Sequence, residues 1–314
     1  MATGGIGQRI FLAMIAAAAA GGCGGGGGDE QWIIGYSQCN RGEPWREQMD
    51  ADVQAAAKKH AEIELIMKDA QNEAFQQIAH VKEFVSQGVD AIIISPKDTS
   101  LTPAVAEAHQ AGIPVIVLDR AVEGDQFACF IGADNKKIGA EVGKWVVAKL
   151  GGKGKVVEMK GLSSSPPAID RSAPFRAALA GTEIEIAYEA DMEWLGPLAR
   201  EKMLAALDRN PEPGSIQLVY GANDPAAIAA YWAAVDKGRE DEILFVGVDA
   251  LPHEGLEAVR NGYLDATFEY PNGAALGIET ALKILAGEEV LKHIVLGTRL
   301  YTPENVESGG VPLD

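Results

Sequence analysis

Asp119 and Arg120 close an apolar run, Ile113-Pro-Val-Ile-Val-Leu118. A carboxylate accepts hydrogen bonds and a guanidinium donates them in a planar fork, so the pair can grip one small polar molecule. Similar groups recur along the chain: Trp45-Arg46, Asp170-Arg171, Trp194, Asn223-Asp224, Asp249 and Glu269-Tyr270. Arg, Asp and Asn matched to vicinal hydroxyls, with indole or phenol faces against C–H patches, is what a polyhydroxylated ring requires. Each residue also has a plainer role. Asp119-Arg120 alone could be a surface ion pair. Asn72 and Asp224 read best as helix caps, and Asp170 as a cap or a solvated charge. Trp45 could belong to a helix core, Trp194 to a loop before Gly196-Pro197, and Asp249 could cap a short helix after Pro252. Caps and ion pairs do not account for arginine at 46, 120 and 171 together.

The elements that must position these groups alternate strictly. Apolar runs at 32–37, 63–67, 91–95, 113–118, 127–132, 155–159, 184–188, 218–220, 243–248, 266–268 and 294–296 read as strands. Helices are expected from Pro44, over 72–87 with Gly88 as the stop, and at 103–111, 135–150, 168–179, 195–209, 224–237, 255–261 and 273–286. Strands alternating with helices of this length mean βαβ units and parallel sheets, an α/β fold. Eleven strands suit two doubly wound sheets better than one, with the break near 132–135. Gly151-Gly-Lys-Gly154 follows a helix rather than a strand, so it reads as a turn and not a phosphate loop. The carboxyl ends of both sheets would then face one cleft. There they deliver Gln38, Asn40, Glu43, Asp69, Gln71, Ser163 to Ser165 and Asp191 beside the residues above.

The chain has 314 residues, enough for about two domains. Its formal net charge of -18 argues against binding the phosphate backbone of nucleic acid and against docking on anionic lipid. At the N-terminus, Arg9 precedes the apolar stretch 10–20 and then Gly21-Gly-Cys23, the pattern of a secretory signal too short for a comfortable membrane span. Ala20-Gly-Gly-Cys23 resembles a lipoprotein cleavage box, which makes residues 1–22 a signal peptide and Cys23 the lipidated mature terminus; the alternative is an ordinary signal with a chance cysteine. Residues 23–30 then form the anchor and a Gly-rich tether. Cys39 and Cys129 fall at opposite ends of the sheet, and two buried free thiols are expected. No Cys/His cluster has metal spacing, and no metal or cofactor is expected.

With these residues in hand, the chain resembles the periplasmic sugar-binding proteins of the ribose/galactose type over about 32–303. The likeness is carried by Ile33-Ile-Gly-Tyr-Ser-Gln38, Gln87-Gly-Val-Asp-Ala-Ile-Ile-Ile-Ser-Pro96, the Asp119-Arg120 run, Gly132-Ala-Asp-Asn135, Asn223-Asp224 and Val246-Gly-Val-Asp249. Trp45-Arg46, Ala168-Ile-Asp-Arg171 and Leu300-Tyr-Thr-Pro303 resemble the galactofuranose-binding branch. The resemblance implies a type I periplasmic binding protein: two Rossmann-like, doubly wound lobes joined by a three-strand hinge. One lobe would comprise 31–133 plus about 270–295, the other 134–269 plus about 296–314. By position, Trp45, Arg46, Asp119, Arg120, Arg171, Asn223 and Asp249 would touch a sugar. Tyr270 stands where ribose binders carry glutamine, and Met192 where they put a stacking aromatic, with Trp194 two residues on. Glu43 adds a carboxylate the pattern does not place.

The implied function is capture of a monosaccharide (a hexose, a furanose form included, or a pentose) by a lipid-anchored monomer. It would lie in the periplasm or on the outer face of the membrane and deliver the sugar to the permease of an ABC importer. One alternative is a sensor presenting ligand to a membrane kinase or receptor. Another is a secreted glycoside hydrolase using Asp119 and Asp249 as acid and base. Against the hydrolase stands the expectation that every cleft carboxylate has an arginine or amide beside it that keeps it ionised. A related repressor is excluded by the missing N-terminal DNA-binding module and by the charge.

Overall fold

The computed structural model describes residues 31–313. The expected leader, the lipidated Cys23 and the tether lie outside the described residues. No described helix is long and apolar enough to cross a membrane.

The first half runs β1 (Trp32–Gln38), α1 (Pro44–Ala57), β2 (Ile63–Asp69), α2 (Ala74–Gln87), β3 (Ala91–Ser95), α3 (Thr102–Gln110), β4 (Val115–Leu118) and β5 (Cys129–Ala133). The second continues with α4 (Asn135–Leu150), β6 (Lys153–Lys160), α5 (Pro166–Leu179), β7 (Glu183–Asp191), α6 (Gly196–Arg209), β8 (Leu218–Gly221), α7 (Asp224–Val235), β9 (Leu244–Asp249), α8 (Gly255–Arg260) and β10 (Ala266–Glu269). The chain ends with α9 (Ala274–Leu285), β11 (His293–Leu296), β12 (Thr298–Tyr301) and β13 (Val311–Leu313). Pro44 opens α1 at its first turn, and Gly88 and Gly151 close α2 and α4 in the left-handed conformation a side chain resists. β3 and β4 are buried along their whole length, which is why their sequences are unbroken apolar runs.

Two sheets form. One is six-stranded in the order β11-β5-β4-β3-β1-β2, with every pairing parallel. The other is seven-stranded in the order β13-β12-β10-β9-β8-β6-β7, parallel except where β12 and β13 join antiparallel. The chain passes between sheets three times, after β5, after β10 and after β11. The two short strands β12 and β13 were not expected from the sequence, and β6 starts at Lys153, inside the expected turn. Cys39 and Cys129 are both buried and free.

The core lies on both faces of each sheet. One apolar cluster backs the first sheet against α2 and α3, and another backs the second against α6, α7 and α8. A third is continuous across the lobes, from Ile34, Trp45 and Ile116 through Tyr270 to Val156, Phe175 and Val248. α9 packs on α1, and α4 packs on α5. Gly139 and Gly143 let α4 and α5 touch: a Cβ at Gly139 would collide with the Arg171 carbonyl.

Candidate functional site

Between the carboxyl ends of the two sheets lies a narrow cavity. Its free space of about 20 Å³ has room for about one water, so a larger ligand needs the walls to move apart. All nine residues picked from the sequence line it, together with Glu43 and Pro167.

The first lobe contributes two arginines and a carboxylate. Arg46, on the first turn of α1, donates to Gln38 Oε1 (3.1 Å), to Ser95 Oγ (3.0 Å) and to Asp119 Oδ2 (3.0 Å). Gln38 is itself held by Tyr36 and Asp50, so the guanidinium is fixed in place. Asp119 follows β4 in a left-handed turn (φ 66°) and accepts from Arg46 and from the Tyr270 hydroxyl. Burial alone would raise its carboxyl, but Arg46, Arg120 and the Tyr270 hydrogen bond together hold it below the usual carboxylate range. Arg120 donates to the Lys97 carbonyl at 2.8 Å and points a second contact at Cys39 Sγ, 3.7 Å away.

The second lobe contributes Arg171, on α5, which donates to Asn135 Oδ1 (2.8 Å) and to the Ala222 carbonyl (2.6 Å). Its guanidinium lies 4.1 Å from the centre of the Tyr270 ring and 5.6 Å from that of Trp194. Trp194 packs on Gly161, which has no Cβ to displace it. Asn223 caps α7 by accepting from the Ala226 N–H, and its amide donates to the Trp194 carbonyl (3.1 Å). Tyr270 sits on the second crossing between sheets. Its ring stacks on Trp45 (4.9 Å, 27°), its carbonyl accepts from Trp45 Nε1, and its hydroxyl also accepts from Asn135 Nδ2 (3.3 Å).

The unfilled valences define what the cavity can hold. Arg46, Arg120 and Arg171 are each 3% exposed or less. Arg46 Nε, Arg120 Nε and Trp194 Nε1 are buried donors without a partner among the described residues. Orphaned donors of this kind cost about 1–3 kcal/mol each unless something accepts from them. Asp249, the last residue of β9, lines the same cavity with no side-chain hydrogen bond among the described residues. A molecule carrying several hydroxyls, each both donor and acceptor, answers all four at once. Backbone strain marks the same place. The described non-glycine residues at positive φ are Gln71, Asn72, Asp119, Glu193, Trp194, Asp249 and Ala250, all on the cavity or on the clefts that share its walls.

Several expectations are corrected. Asp224 does not cap α7; Asn223 does, and Asp224 is buried with its carboxylate turned to Ala250 and Thr267. Asn72 is not a cap either, because the residue before α2 is Glu73. Asp249 does not cap α8, which Glu254 precedes. Asp191 pairs with Lys160 and Glu269 with Arg299, both away from the cavity, while Met192 is fully buried core. Asp170 is a solvated charge near Lys136. The expectation that every cleft carboxylate is kept ionised fails at Asp249: burial first, then the charge of Asp224, hold its carboxyl well above the usual range against the pull of Arg171. Glu43, unplaced by the sequence, lies 3.6 Å from Arg46 Nε and accepts from Asn40. Pro167 was missed, and nothing in its sequence context signals a cavity wall.

A family profile for the periplasmic binding protein domain matches residues 34–289. The chain belongs to the periplasmic binding protein family. Among relatives, this periplasmic binding protein is 32% identical to the ribose import binding protein of Escherichia coli (strain K12), over 72% of this chain and 76% of that one. It is 29% identical to the galactofuranose-binding protein of the same organism, over 87% and 89%. Among solved structures, the fructose binding periplasmic domain of a hybrid two component system is 37% identical with a TM-score of 0.83, covering 88% of this chain and 93% of that chain. The resemblance to the sugar-binding type and the two-lobed fold are thereby borne out, and these relatives are binding proteins rather than enzymes.

Proposed function

We propose that this periplasmic binding protein captures one monosaccharide between its lobes and delivers it to the membrane permease of an ABC importer, without chemical turnover. The observation that carries the reading is the set of orphaned donors on Arg46, Arg120 and Trp194 lining one small cavity with Asp249, whose side chain has no hydrogen bond among the described residues. In this reading Trp45, Arg46, Asp119, Arg120, Arg171, Trp194, Asn223, Asp249 and Tyr270 contact the sugar. The moving bodies are 31–133 plus about 270–295 and 134–269 plus about 296–314. Binding favours the closed form because both lobes contribute donors to the same ligand, and a permease can read that shift. Cleavage after a signal at 1–22 and lipidation of Cys23 keep the monomer at the outer face of the membrane. A second reading, a sensor handing its ligand state to a membrane kinase, is favoured by the 37% identity to the fructose binding domain of a two component system.

A thermal-shift screen against D-ribose, D-fructose, D-galactose and myo-inositol tests the binding reading. One sugar should raise the melting temperature and be recovered unchanged. Product release from a glycoside would refute both binding readings. Uptake of that sugar lost on deleting the gene supports import; lost kinase signalling with uptake intact supports the sensor.

A further inference from the structure

Asp224 is a fully buried carboxylate that the ligand cavity does not touch. It stands in the first turn of α7 and reaches across the ends of β9 and β10. Its oxygens accept from the Ala250 N–H at 2.7 Å and from the Thr267 hydroxyl at 2.6 Å. Gly247 and Gly255 lie against the same carboxylate, where a Cβ on either would collide with an Asp224 oxygen. The surroundings are shaped to this side chain.

What it grips is strained. Asp249 has φ 137° and Ala250 φ 56°, values a residue with a side chain rarely adopts and that persist only where the structure holds them. The hydrogen bond to the Ala250 N–H pins that corner, and the corner carries the Asp249 carboxyl that lines the cavity.

We propose that Asp224 is a positioning residue of the ligand site: by clamping Ala250 and Thr267 it holds the strained corner and aims Asp249 into the cavity. The inference rests on the sugar-capture reading of that cavity. The charged and titratable groups around Asp249 are Arg171 on α5, Glu254 ahead of α8, Glu43 before α1 and Tyr220 on β8, besides Asp224 itself. After burial, the Asp224 charge is the largest influence raising the Asp249 carboxyl, which gives the clamp a signature that packing alone lacks.

Three variants, Asp224→Ala, Asp224→Asn and Asp249→Ala, are titrated calorimetrically with the panel sugar that gives the largest thermal shift. Asp224→Ala should weaken binding roughly tenfold or more. Asp224→Asn should recover it to within roughly threefold, since its amide oxygen accepts from Ala250 and its NH2 donates to Thr267. In unliganded protein labelled with ¹³C at aspartate carboxyls, Asp224→Asn should lower the Asp249 titration midpoint. Wild-type affinity in Asp224→Ala while Asp249→Ala fails to bind overturns the proposal, as does an unmoved Asp249 midpoint in Asp224→Asn. Wild-type affinity in Asp249→Ala instead overturns the sugar reading, and the midpoint then decides the clamp alone.

Discussion

Replacing Tyr270 by phenylalanine removes one oxygen and little else. The ring stack on Trp45 and the Arg171 guanidinium 4.1 Å from the ring centre both survive the change. What goes is the hydroxyl that donates to Asp119 Oδ1 and accepts from Asn135 Nδ2. Asp119 follows a strand of the first sheet, and Asn135 begins the helix that packs on the second, so this oxygen ties the two lobes together, a link we expect the ligand-bound, closed form to depend on. A hydrogen bond to a charged acceptor is worth about 1.5–3 kcal/mol. Its loss falls on the closed state, so sugar affinity should drop roughly ten- to a hundredfold. Asp119 also loses one of the three influences that keep its carboxyl low. Isothermal titration reads the affinity, and small-angle scattering reads the radius of gyration of the unliganded protein, which should rise. Affinity within twofold of wild type, with an unchanged radius, would refute the reasoning.

Other outcomes follow from the same geometry. Trp194→Phe removes an indole N–H without a partner among the described residues together with the ring edge that packs on Gly161, so sugar affinity by calorimetry and the melting temperature of the unliganded protein should both fall; unchanged affinity contradicts this. Gly139→Ala forces a Cβ against the Arg171 carbonyl, and should lower stability by about 1–3 kcal/mol, read by urea unfolding, and weaken sugar binding by moving Arg171; an unaltered midpoint contradicts this. Glu254 is raised to about 7 by burial and then by the charge of Asp224. Between its unfolded value of about 4.3 and that value the folded chain binds the extra proton, so this contribution to stability is lost as pH rises through the window. Glu254→Gln should therefore melt higher than wild type at about pH 8, with the difference shrinking towards about pH 5. His80 and His109, both lowered chiefly by burial, act in the opposite direction in both proteins and cancel from that difference. A difference independent of pH would contradict the assignment.

The fold was readable because central strands such as β3 and β4 are continuous apolar runs and the helices are punctuated by Pro44, Gly88 and Gly151, each doing the backbone task its chemistry suits. β12 and β13 escaped because they are short, β13 is an exposed edge strand and it carries Pro312, which signals against a strand in any context but an edge. In the site, counting residues from strand ends picked out nine residues that line one cavity, but also Asp191 and Glu269, which do not. Asp191 and Glu269 end their strands turned towards Lys160 and Arg299, and strand position alone cannot tell which way a terminal side chain turns. The neighbours Asn223 and Asp224 are equally good caps by composition. Only the packing of Gly247, Gly255 and Thr267 around Asp224 decides which of them turns away from its own helix. Tyr270 was placed by position, yet its part in joining both lobes depends on Asp119 and Asn135, 151 and 135 residues away in sequence.

The central claim is that the cavity between the sheets is filled by one monosaccharide held from both lobes. A crystal structure of the protein grown with the panel sugar that gives the largest thermal shift tests it most directly. The account predicts one intact sugar between Trp45 and Trp194, accepting from Arg46, Arg120 and Arg171 and donating to Asp119 and Asp249. A sugar bound elsewhere on the surface, or a cavity that stays empty of it at saturation, would contradict the account.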